Sequence, residues 1–455
     1  MKISTDILIK QLESIPMAEE VFEKYIPGRL TFMKNNPQAK HLSLKQTAVY
    51  SRGSIPMETV QLIVDELKGI HGDYIITDVE KEKIAAYQEL EKRIKEVYGA
   101  PEVRNAVYPG RPITDTEGKR IQAHGGAVFF DEGYYYWYGE NKEYTKGTDD
   151  MWTWGVKAYR SSDFYNWEDL GQIINPVLDD PDSMLFPETR VDRPHILHNT
   201  KTGKYVCWIH LAGKIAGFMI LQADEFTGPY EIVNDRYQPY GYAAGDFDLA
   251  QDEDGKAYLY YDVNHSTVVA MVLSDDYLTV EKEVSRQYEN MTPPFCREGV
   301  AVFERRGKCY MISSGMTGYV PNRSDLAVAD SLEGPFESIG NPYPDDETNS
   351  SYNSQVTDVF KVPGKQDLYI LMSDRWVPEY PVDAKLADII ERAVASKYDP
   401  QKYQTTEEEQ KVFEASPNLH TANTSIADYV WLPITFNDGK PEIKWLDSWS
   451  LDDYE

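Results

Sequence analysis

The sequence predicts an all-β five-bladed β-propeller with an N-terminal α-helical domain. Two observations predict the propeller. Five aromatic strands recur in order: GYYYWYGE (133–140), GKYVCWIH (203–210), GKAYLYYD (255–262), GKCYMISS (307–314) and KQDLYILMSD (365–374). The first four start 70, 52 and 52 residues apart, and the fifth follows at a similar interval. A second motif, an outer strand with a polar turn, trails four of them: SSDFYNWEDLG, ADEFTGPYEIV, SDDYLTVEKE and ADSLEGPFESIG. A period near 50 residues with about four short strands per unit is the signature of a propeller blade. A β-sandwich would need five ordered likenesses to be coincidence.

A change of texture near residue 105 separates the β region from the helices. Residues 1–99 read as a helical accessory domain, with a helical module over about 1–72 and a connecting helix over about 78–98. Leu8 and Leu12 sit at i, i+4. MAEEVFEKYIPG puts Val21, Phe22 and Tyr25 on one face and stops at Pro27-Gly28. PMETVQLIVDELKG opens at Pro56 and is expected to close at Gly69, the usual polarity of Pro and Gly. Thr77 and Glu80 form a capping-box pattern ahead of a stripe of Ile84, Tyr87, Leu90, Ile94 and Val97 that ends at Gly99. Such a stripe is packing surface. From 105 to 455, short aromatic and β-branched runs alternate with Gly, Asp and Asn turns. A helical insertion interrupts them at about 383–424. The final YVWLPITFNDGKPEIKWLDSW is expected to close the ring with the first blade, which would remove an open sheet edge.

Composition narrows the function. The formal net charge is −29, so nucleic acid and anionic membranes are disfavoured as partners, and a neutral or cationic substrate is expected. Apolar residues at 41 % support a large core, and 33 tyrosines suit a sugar-binding cleft. Cys207, Cys296 and Cys309 have no metal-ligand or disulfide spacing. The N-terminus has no signal-peptide pattern and no run of about 18 apolar residues occurs, so a cytoplasmic location is expected. Nothing in the sequence specifies an oligomeric state.

Each aromatic strand is preceded by a segment that begins with a polar residue: IQAHGGAVFF, VDRPHILHN, GDFDLAQD, REGVAVFE and NSQVTDVF. The residues are Gln122 or His124, Asp192, Asp246, Glu298 and Gln355. The innermost strand of a propeller blade lines the axis, so these heads are expected to ring one mouth of the channel. Carboxylates gathered there raise one another's pKa. They serve as metal ligands, as partners of Arg193, Arg297 or Arg375, or as acid–base catalysts. No EF-hand-like loop is present. No cofactor is expected to be required, and a structural calcium in the channel is the one ion left open.

Taken in order, AHGG, YYWYGE, RPHILHN, TGKYVCWIH, GDFDLAQDEDGKAYLYY, REGVAVFERRGKCYMISSGMTGYVPN, NSQVTDVF, LMSDRW and YVWLPITF resemble glycoside hydrolase family 43. The likeness is greatest to its exo-β-1,3-galactanase branch and covers about residues 108–381 and 425–450. It implies a propeller that hydrolyses glycosidic bonds with inversion. Glu298 then matches the general acid and Asp246 the residue that raises and orients it. An inverting enzyme also needs a base about 6.5–9.5 Å from the acid. The first-blade Asp of most members is missing here, where IQAHGG stands. The galactanase-like branch shares that lack and assigns the water to a Gln that matches Gln355. Asp192 and Glu140 are the other carboxylates expected at this mouth. The resemblance points to exo-release of galactose from β-1,3-galactan or arabinogalactan-type oligosaccharides. The family's arabinofuranosidase, xylosidase and galactofuranosidase activities are alternatives, and a non-catalytic sugar-binding propeller is the alternative of another class. Glu140, Asn353, Tyr319, Arg375, Trp376 and Trp208 are candidate sugar-binding residues. His124, His195 and His210 read as structural, and Trp152 and Trp154 as pocket walls. The first 70 residues, through VFEKYIPG and LSLKQTAVYS, resemble a small helical module appended to bacterial enzymes.

Overall fold

The computed structural model describes residues 2–36, 39–51, 53–73, 75, 81–82, 85, 103–148, 150–213, 215–380, 382–419 and 421–455. The chain divides into two compact units, Met1–Glu96 with Val177–Phe186, and Val97–Pro176 with Pro187–Glu455.

The first unit contains helices α1 (Ala18–Tyr25), α2 (Arg29–Asn35), α3 (Leu44–Tyr50) and α4 (Met57–His71). Their apolar stripes meet in one core, where Phe22, Leu30, Leu44, Ile63 and Leu67 are essentially inaccessible. Ser43 and Gln46 form a capping box at the start of α3. Helix α4 begins after Pro56 as expected but runs through Gly69 to His71. Gly72, at φ 83° and ψ −173°, ends it in a backbone conformation open essentially to glycine alone. The helix expected over 78–98 falls almost entirely outside the described residues.

The second unit is a five-bladed propeller of antiparallel sheets. The first blade is β1 (His124–Asp131), β2 (Tyr134–Glu140), β3 (Val156–Ser161) and β4 (Glu168–Ile174). The second is β5 (Val191–Asn199), β6 (Lys204–Leu211), β7 (Gly217–Ala223) and β8 (Glu231–Tyr237). The third is β9 (Ala244–Gln251), β10 (Ala257–Val263), β11 (Thr267–Leu273) and β12 (Val280–Gln287). The fourth is β13 (Glu298–Arg305), β14 (Lys308–Ser314), β15 (Asp325–Ala329) and β16 (Glu337–Gly340). The fifth combines β17 (Gln355–Lys361) and β18 (Tyr369–Arg375) with β19 (Asp428–Tyr429), β20 (Leu432–Asn437) and β21 (Lys440–Ile443). Each innermost strand packs on the next, and β17 packs on β1.

The C-terminal strands therefore complete the fifth blade, not the first. The insertion, with α5 (Ala384–Tyr398) and α6 (Glu407–Glu414), separates β18 from the strands that finish its own sheet. The ring closes by side chains. Asp374 at the end of β18 accepts from Gly125 N at 2.7 Å and pairs with His124 Nδ1 at 2.9 Å, and His124 stacks on Tyr429. A cluster of Trp137, Trp167, Tyr429, Trp431 and Trp449 fills the seam between these two blades. One backbone bridge, Val107 to Trp449, ties the start of the unit to its end.

Asp374→Ala would leave a buried amide and a buried imidazole unsatisfied at the seam. It is expected to cost about 2–4 kcal/mol of stability, read as a lower unfolding midpoint. Asp275→Ala, which removes an exposed pair with Lys201, leaves the midpoint nearly unchanged. Equal effects would refute closure through Asp374.

Candidate active site

A bulge shapes the head of every innermost strand. Each carries one extra residue relative to its neighbour: between His124 and Ala127, Asp192 and His195, Ala244 and Phe247, Glu298 and Ala301, and Val356 and Asp358. A bulge bends the strand and re-aims its side chains. In β1 and β13 the residue after the head is Gly125 at φ 62° and Gly299 at φ 54°. In β5 the same place is held by Arg193 at φ 52°. The left-handed region costs a non-glycine residue about 1–2 kcal/mol, and three contacts hold Arg193 there. Its N–H donates to Glu140 Oε1 at 2.8 Å, its Nη2 donates to Val356 O at 2.6 Å, and its Nε lies 3.1 Å from Asp246 Oδ2. The glycines leave the room this needs. A Cβ at 125 would stand 2.6 Å from Glu140 Oε1, and one at 299 would stand 3.0 Å from Arg193 Nη2.

The register corrects one expectation. His124, Asp192, Glu298 and Gln355 are equivalent heads, but in β9 the head is Ala244, and Asp246 lies inside the bulge. Asp246 still reaches the mouth, because the extra residue turns it inward.

Asp192, Asp246, Glu298 and Gln355 line one cavity of about 350 Å³, together with Trp152, His210, His265, Tyr319 and Trp376, whereas His124 is buried behind it. Glu298 faces it from β13, and no protein group among the described residues hydrogen-bonds its carboxyl. Gln355 is held on both ends of its amide. Trp376 Nε1, which can only donate, gives to Gln355 Oε1 at 3.1 Å, and Gln355 Nε2 donates to Ser314 Oγ at 3.0 Å. Ser314 Oγ in turn donates to the Glu298 carbonyl at 3.2 Å. This chain fixes which face of the amide meets the cavity. On the opposite wall, buried Lys142 lies 2.7 Å from Glu140 Oε2 and 3.7 Å from Asp192 Oδ1, and Trp152 Nε1 donates to Asp192 Oδ1 at 2.6 Å. Trp152, Tyr319 and Trp376 form a continuous aromatic wall, and Ala422 of the insertion packs behind it. Leu419 brings the insertion to the cavity itself.

Electrostatics separate the carboxyl groups. Desolvation pushes the Glu298 carboxyl well above the ordinary range, the charges of Asp246 and Asp262 push it further, and Arg193 and Arg297 oppose them. Burial also raises Glu140, against the pull of Lys142. Glu298 thus has the environment of a carboxyl that keeps its proton.

The cavity gathers Glu298, Asp246, Gln355, Asp192, Glu140, Tyr319 and Trp376. Three candidates lie elsewhere. Trp208 is fully buried between the second and third blades, where it packs on Phe218 and donates to Tyr277 O. It shares a face of β6 with His210, which lines the cavity, but lies one residue pair deeper, in the core between the blades. Asn353 sits in a turn with Ser351 and Tyr352 at φ 56–57°, so it does not share a strand face with Gln355. Arg375 is used by backbone: its guanidinium donates to Tyr352 O and Asn353 O. Trp154 is buried against Tyr144. His124 pairs with Asp374 and His195 with Asp248, whereas His210 lines the cavity and lies 3.0 Å from Ala244 O. Sequence reasoning missed Lys142 and His265, and it named Arg193 only as a possible ion partner. Aligning HGG, DRP and EGV would have shown an arginine in a glycine's place. Among the described residues, no group of three or more His, Cys, Asp or Glu is placed to hold a metal ion, and no helix is long and apolar enough to cross a membrane. In the channel, Asp248 is engaged by His195, Leu249 N and Val302 N.

A family model for glycosyl hydrolases family 43 matches residues 122–375. A β-D-galactofuranosidase of Aspergillus niger is 31 % identical over 175 residues, which are 36 % of this chain and 47 % of that protein. Among solved structures, a family 43 β-1,3-galactosidase, BT0265, superposes with a TM-score of 0.61 at 27 % identity, over 77 % of this chain and 65 % of that one. An exo-β-1,3-galactanase from Phanerochaete chrysosporium, with β-1,3-galactotriose, superposes at 0.60 and 25 % identity, over 76 % and 68 %. The chain thus spans about half the length of the curated relative and about two thirds of these two structures.

A carboxyl whose pKa is raised by folding disfavours the folded state once pH exceeds its unfolded value. Glu298→Gln is therefore expected to stabilise the protein relative to wild type increasingly as pH rises from 4 to 8, measured as the difference in Tm. A difference that stays constant or shrinks would show that Glu298 ionises normally. Trp376→Phe keeps the ring but frees the Gln355 amide, and kcat should fall about tenfold with the fold unchanged. Wild-type kcat in that variant would refute the fixed-amide reading.

Proposed function

The chain belongs to glycosyl hydrolase family 43, and we propose that it is an exo-acting, inverting glycosidase that releases galactose from the non-reducing end of β-1,3-linked galactan or arabinogalactan-type oligosaccharides. The observation that carries this reading is one small cavity lined both by Glu298, whose buried carboxyl no described group hydrogen-bonds and burial raises, and by a rigidly held Gln355. The likeness to a β-1,3-galactosidase and an exo-β-1,3-galactanase supports the sugar and the linkage.

Glu298 protonates the leaving oxygen. Asp246, held by Arg193, keeps a negative charge beside it and so keeps the acid protonated until the bond begins to break. Gln355 orients the water on the far side of the sugar. A fixed neutral amide is a weak base, so the proton passes to a carboxylate. Asp192 suits this better than Glu140, because its side chain is 19 % exposed against 3 %. The aromatic wall supplies the apolar face against which a pyranose ring packs. A cavity of about 350 Å³ is at the small end for ligand sites and suits one sugar ring with part of the next. The overall charge of −29 favours a neutral sugar. The galactofuranosidase relative makes a β-galactofuranoside the second reading.

With β-1,3-galactobiose and galactotriose, galactose should appear one unit at a time and as the α-anomer first, followed by proton NMR. Cleavage of a galactofuranoside, arabinofuranoside or xyloside with the galactosides untouched would overturn the substrate assignment, and initial β-anomer would overturn inversion. Glu298→Gln should lower kcat/KM by about 10²–10⁴-fold. Asp246→Asn removes the neighbouring charge, so the basic limb of kcat/KM should move to lower pH. A limb that stays put would remove Asp246 from this role.

A further inference from the structure

The turn between β10 and β11 carries a pair that the scheme above leaves unused. Asp262 is fully buried, and its Oδ2 lies 2.6 Å from His265 Nδ1, whereas the His265 side chain is 60 % exposed and lines the cavity. A second oxygen, Asp262 Oδ1, is buried without a hydrogen-bond partner among the described residues. Three features show that the turn is built to hold this imidazole. Asn264 and His265 both take positive φ, 54° and 51°, where such turns favour glycine at the second position. The turn is anchored by Asn264 N donating to Ala243 O at 2.9 Å and Met291 N donating to Ser266 O at 2.9 Å, which ties it to the loop that runs on to Glu298. Gly245 on the cavity wall has no room for a Cβ, because the Asp262 carboxylate fills that space.

We propose that His265, locked by Asp262, is a substrate-binding residue that donates a hydrogen bond from Nε2 to a hydroxyl of the leaving sugar. The proposal rests on the exo-hydrolase reading. In a pocket entered from one end, the cleaved unit fills the closed part and the leaving unit lies toward the opening. The His265 side chain, at 60 %, is far more open than those of Asp246 and Asp192, each at 19 %. With Nδ1 committed to Asp262, Nε2 is the nitrogen left for a ligand. It carries hydrogen whenever the pair holds two protons, whether as imidazolium with carboxylate or as neutral imidazole with carboxylic acid. Several groups influence that proton count. The hydrogen bond to Asp262 raises His265, with burial opposing and Asp246 adding to the rise. Burial raises Asp262, Asp246 adds to this, and His265 and His210 oppose. The Asp262 and Glu298 carboxyls are close enough to influence each other.

The test compares two substrates on the full chain. β-1,3-Galactobiose has a leaving sugar, and 4-nitrophenyl β-galactoside has none. His265→Ala should lower kcat/KM for the disaccharide at least about tenfold, chiefly through KM, and change the aryl galactoside by less than about twofold. His265→Gln, whose amide can donate from a similar place, should recover part of the loss. Parallel losses on both substrates would assign the pair a structural or general catalytic role and overturn the proposal, as would no loss on either. Failure of the hydrolase reading is separate: the wild-type enzyme would then leave both galactosides intact.

Discussion

Arg193 joins three blades at one point, and the acidic mouth depends on it. Its backbone amide binds Glu140 of the first blade, its guanidinium faces Asp246 of the third, and Nη2 binds the Val356 carbonyl of the fifth. Carboxyl groups gathered in a confined space repel one another unless cations divide them. Arg193 supplies one such charge, beside Asp246, and buried Lys142 another, beside Glu140. At Glu298 the pull of Arg193 and Arg297 does not offset desolvation and the charges of Asp246 and Asp262, so the carboxyl that chemistry needs neutral stays raised. The strained left-handed backbone at Arg193 is the local cost of placing a cation where the neighbouring blades have glycine.

The same arrangement links the propeller to its reactivity. Ring closure through Asp374 and the aromatic seam fixes β1 against the fifth blade. Gln355 and Trp376 belong to that blade, so the geometry of the amide inherits the rigidity of the seam. The helical insertion interrupts this blade between β18 and β19, and it reaches the aromatic wall through Ala422 and the cavity through Leu419. The blade that completes the ring thus also supplies one side of the pocket.

Much of this was legible in the sequence because blades repeat. The period marked five sheets, and the heads marked Asp192, Glu298 and Gln355 at their observed places. The remainder depended on features that a repeat conceals. A one-residue bulge shifts Asp246 from the head position to the one inside it, and counting residues does not reveal that. Trp208 reads as a stacking residue from its type, but it lies deeper along β6 than His210, where the face between blades is core. Arg375 and Asn353 lie near Gln355 in sequence, yet consecutive left-handed residues turn Asn353 off the strand, and backbone carbonyls occupy Arg375. The sequence leads one to expect the C-terminal strands beside the first blade, because closure by both chain ends would remove an open sheet edge. Here an insertion delays the fifth blade's own strands, and side chains close the ring.

The central claim is that the fold holds Glu298 protonated at neutral pH. Isotope-edited infrared difference spectra of carboxyl-labelled wild-type protein against Glu298→Gln test it most directly. The account predicts a protonated Glu298 carboxyl signal that persists at pH 7. A signal that converts to carboxylate near the ordinary glutamate value of about 4.3 would contradict it.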